Sequence, residues 1–170
     1  MLKKYFFNTC FGSVVSIADD HCLYLLQFEE SVLLNKQLNQ IEQKFHTKIF
    51  DGSTFVTNKV EQEVNAYCQG VLKKFTVPLF NYGTQFQQKV WNFCSAVEYG
   101  KTATYKDCAQ IMNNRLALRA VGNALAANPH AIIIPCHRII RSNGLLGGYA
   151  GGFERKLQLV NHEQLFKNML

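Results

Sequence analysis

The chain has 170 residues, 48% of them hydrophobic and 18% charged, with a formal net charge of +6. That apolar content suits one or two compact domains with a real core and excludes an intrinsically disordered chain. The basic excess is compatible with a polyanionic partner without requiring one.

From the N-terminus, Lys3-Lys4 followed by an apolar stretch to Ala18 loosely imitates a signal peptide. Asn8, Thr9, Gly12 and Ser13 interrupt it, so the segment reads as strand Lys4–Phe7, turn Asn8–Gly12 and strand Ser13–Ala18. Asp19-Asp20-His21 then makes a hairpin turn into a third strand, Cys22–Phe28, giving a small antiparallel sheet. Ser31 is placed to cap a helix with Leu34, Leu38, Ile41 and Phe45 on one face. Asn58, with Glu61 three residues on, reads as the capping box of a second helix that carries Val60, Val64 and Tyr67 and ends at Gly70. Val77-Pro78-Leu79 is expected to be extended, because a residue before proline avoids the helix. A domain boundary follows, dividing the chain into residues 1–80 and 81–170.

Thr84 and Gln87 form another capping box, ahead of Phe86, Val90, Phe93 or Cys94, and Val97 at helical spacing. Glu98-Tyr99-Gly100 stops that helix, and Thr104 starts the next, which runs to about Met112. Asn113-Asn114 is a turn, and Ala117–Ala127 a further helix ended by Asn128-Pro129. Ile132–Ile134 reads as a buried extended run into Pro135. A glycine-rich stretch, Gly144 to Gly152, leads to a last helix with Phe153, Leu157 and Val160 on one face. The chain is therefore expected to be α+β, with no run of about 18 apolar residues that would span a membrane.

Six cysteines are present, at 10, 22, 68, 94, 108 and 136. Their even number invites disulfides, but the length and apolar patterning speak against a stapled scaffold, and no Cys-x-x-Cys occurs. Reduced thiols and a cytoplasmic setting, or a nuclear one in a eukaryote, are expected. Cys10, His21 and Cys22 offer a lesser alternative, an N-terminal metal site.

Two features carry chemistry. The helices Thr104–Met112 and Ala117–Ala127, joined by a tight turn, read as a helix-turn-helix. The second is almost entirely small or apolar, with Arg119 and Asn123 as its polar side chains. It is either a buried core helix or one that enters a narrow groove closely, with Arg119 able to push into a base stack. The second feature is Pro135-Cys136-His137-Arg138. A cysteine attacks as a thiolate and needs a proton acceptor. Neighbours on a strand face opposite ways, so His137 serves Cys136 only if the chain turns there. The other reading is an inert buried thiol, which is common for cysteine. Adjacent Cys-His lacks zinc-ligand spacing.

Gly83-Thr84-x-Phe86-Gln87-x-x-Val90-Trp91, Gly100-x-x-x-Thr104-Tyr105, Arg119-Ala120-Val121-Gly122, Asn128-Pro129, Ile134-Pro135-Cys136-His137-Arg138 and Gly144-x-x-Gly147-x-Tyr149-x-Gly151-Gly152 occur in this order. In order and spacing they resemble the alkylguanine-DNA alkyltransferases, the methylated-DNA–protein-cysteine methyltransferases. The match is dense over about residues 80–165, and residues 1–80 share only a general layout. The resemblance implies a ribonuclease-H-like N-terminal domain and a winged-helix-like C-terminal one. It implies double-stranded DNA with an alkylated guanine as partner, approached by the minor groove, a monomer, and no cofactor or metal.

The resemblance also implies roles. A damaged guanine is flipped into a pocket at a cost of a few kcal/mol, and Arg119 fills its place. Tyr105 crowds the flanking phosphate and lends its hydroxyl to the base. Cys136 attacks the alkyl carbon, His137 draws off the thiol proton through a water, and Glu163 orients His137. Asn128 braces the cysteine turn. Arg115, Ala120, Asn123 and Thr104 contact DNA. Trp91, Pro135, Ile139, Tyr149, Ala150 and Gly151 build the pocket, with backbone around Cys136, Ile139 and Ala150 bonding the guanine edge. The protein is spent in one transfer, because a thioether sulfur is a poor leaving group. Departures from the family pattern are Ala150 where serine is frequent, Asn113-Asn114-Arg115 in a turn that often holds glycine and proline, and Glu98 where proline is common. Three rivals predict other features. An alkyltransferase-like damage sensor lacks the cysteine. A cysteine hydrolase needs an oxyanion hole. A helix-turn-helix regulator needs a reading helix rich in polar side chains.

Overall fold

The computed structural model describes residues 1–112 and 117–169. They divide into two compact units, Met1–Asn81 and Tyr82–Leu170.

In the first unit, strands β1 (Leu2–Thr9), β2 (Gly12–Ala18) and β3 (Leu23–Phe28) are antiparallel, and the short β4 (Ile49–Asp51) adds parallel to β1. The order is β3-β2-β1-β4, so the sheet is mixed at one edge. β2 is paired on both sides, and Val14, Val15, Ser16, Ile17 and Ala18 are all buried. The Asp19 carboxylate closes the next turn by accepting from the backbone N–H of His21 and Cys22. Leu79 bridges to Leu23, consistent with an extended segment around Pro78.

Helix α1 (Leu34–Phe45) lies between β3 and β4 in the chain, and α2 (Phe55–Cys68) follows β4. Two expected caps are corrected. Ser31 lies ahead of α1, its hydroxyl accepting from Leu33 N, and the cap position is Leu33 with no side-chain bond. α2 begins earlier than expected, at Thr54, whose side chain exchanges bonds with Thr57 in a capping box. A threonine at the third position supplies the returning oxygen as glutamate would, so Asn58 lies inside the helix.

The second unit holds α3 (Gln85–Ala96), β5 (Ala103–Thr104), α4 (Tyr105–Ile111), α5 (Leu118–Ala126), β6 (Ile139–Ile140) and α6 (Phe153–Phe166). Capping boxes of Thr84 with Gln87 and Thr104 with Asp107 start α3 and α4. The expected turn at Asn113-Asn114, and Arg115 with it, lies outside the described residues. α5 buries Val121, Ala124 and Leu125 and leaves Arg119, Ala120 and Asn123 exposed. Trp91 of α3 fastens α5, its indole N–H donating to Ala124 O at 2.8 Å. β5 and β6 pair in parallel, Ala103 with Ile139 and Thr104 with Ile140. That ties the start of α4 to the residues just after Cys136-His137-Arg138.

Two further expectations fail. Residues 132–134 turn rather than extend, with Ile132 and Ile134 buried and Ile133 half-buried, and Ile132 has φ +70°. α6 buries Lys156, Leu159 and Glu163, while Phe153 is exposed. Among the described residues no helix is long and apolar enough to cross a membrane.

Candidate active site

The segment 128–138 is wound on Asn128. Its Oδ1 accepts from His130 N at 2.9 Å, and its Nδ2 donates to Ile134 O at 2.9 Å. The left-handed Ile132 between them is costly for a β-branched residue, about 1–3 kcal/mol, and strain of this kind gathers at functional sites. At Pro135 the backbone has φ −82° and ψ 61°, and Cys136 N bonds Ile134 O at 2.8 Å. This is an inverse γ-turn. It feeds a 3-10 turn, Cys136–Arg138, so Cys136 and His137 do not alternate as strand neighbours would.

Cys136 is 3% exposed. Its Sγ lies 3.2 Å from Asn128 Nδ2 and 3.9 Å from Cys94 Sγ. His137 is fully buried, its Nε2 2.7 Å from Glu163 Oε1. Arg138 donates from Nε to Glu163 Oε2 and from Nη2 to Oε1, both at 2.9 Å, and from Nη1 to Val97 O. Gly100 N donates to the same carboxylate at 3.0 Å. A side chain at Gly100 would collide with Lys167, and its φ of +73° suits glycine.

These bonds set the charges. Burial alone would push the Glu163 carboxyl up, but His137 and Arg138 outweigh it and hold the group below the usual carboxylate range. Burial drives His137 below the ordinary imidazole value, against the opposing pull of Glu163. We take His137 as neutral, since Arg138 already neutralises Glu163. A carboxylate only accepts, so the imidazole proton sits on Nε2. Nδ1 is then a bare acceptor, and it has no hydrogen-bond partner among the described residues.

Lys156 escaped the sequence reading, as did the double hold of Arg138 on Glu163. Lys156 is fully buried, donating to Ile139 O at 2.6 Å and Gly148 O at 3.2 Å, with its ammonium 5.7 Å from the Tyr105 ring centroid. Burial pulls it down to about 8. The signal available was its position, seven residues before Glu163 on one helix face.

The remaining site residues fall into groups. Tyr105 opens α4, its hydroxyl 3.4 Å from Gly148 O. Gly147, at φ +75°, admits that ring, since a β-carbon there would stand 3.1 Å from it. Tyr149 sets its ring edge-on to His137, centroids 6.4 Å apart, and burial raises its hydroxyl. Pro135, Ile139 and Gly151 are buried beside the cysteine turn and the glycine-rich segment, and Ala150 is half-buried. Ile139 already spends its N–H on Cys136 O and its carbonyl on Lys156. The Trp91 indole N–H is engaged with α5. The Thr104 hydroxyl is occupied in its capping box. Arg119, Ala120 and Asn123 stand apart from the thiol on the exposed side of α5. Among the described residues no group of three His, Cys, Asp or Glu gathers to hold a metal, at Cys10, His21 and Cys22 or elsewhere.

Residues 85–165 match the family model described as 6-O-methylguanine DNA methyltransferase, DNA binding domain. The inducible methylated-DNA–protein-cysteine methyltransferase of Bacillus subtilis is 40% identical over 163 residues, covering 92% of this chain and 91% of that one. The methylated-DNA–protein-cysteine methyltransferase of Methanosarcina acetivorans is 46% identical over 105 residues, 62% of this chain and 67% of its own. Among solved structures, Mycobacterium tuberculosis OGT in complex with DNA aligns with a TM-score of 0.82 and 32% identity, over 96% of this chain and 94% of that one.

Proposed function

The chain belongs to the methylated-DNA–protein-cysteine methyltransferase family, and we propose that Cys136 is the cysteine that receives the alkyl group. The family's work is DNA repair by direct reversal, a single irreversible transfer of an alkyl group from DNA to the protein. The observation that carries the assignment is the 2.7 Å contact between His137 Nε2 and Glu163 Oε1, which leaves Nδ1 without a hydrogen-bond partner among the described residues.

The chemistry follows from that arrangement. The Cys136 proton passes through a water to His137 Nδ1, and Glu163 with Arg138 steadies the imidazolium that forms. Cys136 Sγ then bonds the alkyl carbon in line as the bond from that carbon to the guanine 6-oxygen breaks, and the electron pair leaves with the base. Asn128 holds Sγ and its turn in place. Tyr105 presents its hydroxyl to the base, and its place at the head of α4 suits contact with the flanking phosphate. The 4-oxygen of thymine is a poorer substrate. No group here can expel a thioether sulfur, so the protein is used once.

Arg119, Ala120 and Asn123 are the DNA face of α5, with Thr104 as a further DNA contact and Arg115 adding positive charge for phosphate. A helix face of alanine and glycine lets its backbone approach the minor groove closely, and Arg119 fills the gap left by the flipped base. The chain acts as a monomer in a reducing compartment, the cytoplasm. The damage-sensor rival fails on the presence of Cys136 with its base.

Incubation with a duplex carrying one methylated guanine tests the assignment. Mass spectra should show one methyl group, on the tryptic peptide Ala120–Arg138, and at most one per molecule. Repeated turnover, or a methyl on another cysteine, would overturn it.

A further inference from the structure

We infer that Cys94 and Cys136 close into a reversible disulfide when the protein meets a peroxide, and that this protects the nucleophile from permanent oxidation. Cys94 lies on the buried face of α3, with Val90 and Trp91. Its sulfur is 3.9 Å from that of Cys136. A disulfide holds its sulfurs at about 2.05 Å, so they must close by about 2 Å. Cys136 sits on a 3-10 turn entered from a γ-turn, not inside a helix or a sheet, and such a segment yields more readily than α3.

Exposure sets the order of events. Cys136 is 3% exposed and Cys94 not at all, so a small oxidant reaches Cys136 first. The Cys136 thiol takes one oxygen from the peroxide, giving a sulfenic acid and releasing water or an alcohol. The Cys94 sulfur then attacks the sulfenic sulfur. Its proton leaves with the hydroxyl as water, and the S–S bond forms. Two thiols are thus oxidised and one peroxide reduced. A low-exposure thiol beside the reactive one is the arrangement of a resolving cysteine, which intercepts the sulfenic acid before further oxidation to the irreversible acids. While the bond stands, Cys136 cannot accept an alkyl group, a consequence that rests on its role proposed above.

The thiols of Cys10 and Cys68 also hydrogen-bond to each other, near the surface, and would obscure the result. The test therefore uses the full chain carrying Cys10→Ser and Cys68→Ser. After hydrogen peroxide, a non-reducing tryptic digest should contain Val90–Lys101 linked to Ala120–Arg138, with the loss of two hydrogens. Alkyl acceptance should fall at least about tenfold and return on adding dithiothreitol. With Cys94→Ala, and independently with Cys94→Ser, the same treatment should carry Cys136 to a sulfinic acid that dithiothreitol does not rescue. Sulfinic acid forming on Cys136 equally fast with and without Cys94, or Cys136 linked instead to Cys108, would overturn the inference. A clean Cys94–Cys136 link with undiminished acceptance would uphold the disulfide and remove Cys136 as the acceptor.

Discussion

The two units bury different kinds of polar group. In the first, Ser16, Gln27, Ser31, Gln37, Thr54 and Thr57 are buried, and all are neutral. In the second, Asn128, His130, His137, Arg138, Lys156 and Glu163 are buried, and all but Asn128 can carry charge. The first unit keeps its ion pairs, Lys4–Asp51, Lys48–Glu42 and Lys59–Glu63, at or near the surface. A neutral polar group needs only a hydrogen bond to be buried cheaply, whereas a buried ion pair rarely repays its desolvation. The second unit therefore spends stability on charge placement, as expected where a proton must be moved.

The largest expected effect comes from breaking that placement. Glu163→Gln keeps the shape but sets an amide against donors on His137, Arg138 and Gly100. Arg138 is left as a buried charge without its counter-ion, which costs about 3–5 kcal/mol. The His137 tautomer is also released, so single-turnover methyl transfer should slow by about 100-fold or more. Urea unfolding and transfer rates on one preparation check both. A change under about 1 kcal/mol with an unchanged rate would remove Glu163 from the site.

The matching lesion in the first unit is Leu25→Ala. Leu25 is fully buried in β3, and truncation should cost about 2–5 kcal/mol, a loss similar in size. The transfer rate per folded molecule should nevertheless stay unchanged. A rate loss here comparable to that of Glu163→Gln would mean that the contrast between the units reflects stability alone.

Titration sharpens the contrast further. Trp91 is the single tryptophan and lies in the second unit, so its fluorescence reports that unit alone. His137 is held below its unfolded value. As pH falls below about 6.5 the unfolded chain takes up that proton first, and stability drops. Glu163 is also depressed, so its contribution is present above its unfolded value, about 4.3, and fades as pH falls toward its lower folded value. Lys156, at about 8 when folded, makes stability rise with pH between there and its unfolded value, about 10.4. The Trp91-monitored urea midpoint should therefore climb from acid to alkaline pH. Methyl transfer, which needs neutral His137, should hold its rate to below about pH 6.5 before declining. A transfer rate halved near pH 7 would contradict a depressed imidazole.

Much of the fold was legible because its signals are local. The Thr84 and Thr104 caps, the three antiparallel strands and the two helices on either side of residues 113–116 were each written in spacing. What escaped was set by tertiary demands. On α6 the apolar pattern pointed to Phe153, Leu157 and Val160, yet Lys156 and Glu163 are buried because Ile139 O, Gly148 O, His137 and Arg138 receive them. Apolar periodicity does not place a lysine inward. Residues 132–134 read as a strand because they are isoleucines, and only the Asn128 bonds explain the left-handed turn. For Cys136, spacing alone favoured an inert buried thiol over a nucleophile. The γ-turn at Pro135 and the His137–Glu163 bond, both invisible to pattern, give the nucleophile its structural support.

The smallest expected change in stability belongs to Arg119→Ala, which separates the charged site from the surface that presents DNA. Arg119 is exposed on α5, away from the buried network, so the Trp91-monitored stability should move by no more than about 0.5 kcal/mol. Transfer from a methylated duplex should nonetheless fall about tenfold, because flipping costs a few kcal/mol and the side chain that fills the stack offsets part of it. Transfer from free O6-methylguanine, which needs no flipping, should be unaffected. Equal losses on duplex and free base would mean that Arg119 acts on the thiol after all, and would place α5 inside the chemistry rather than beside it.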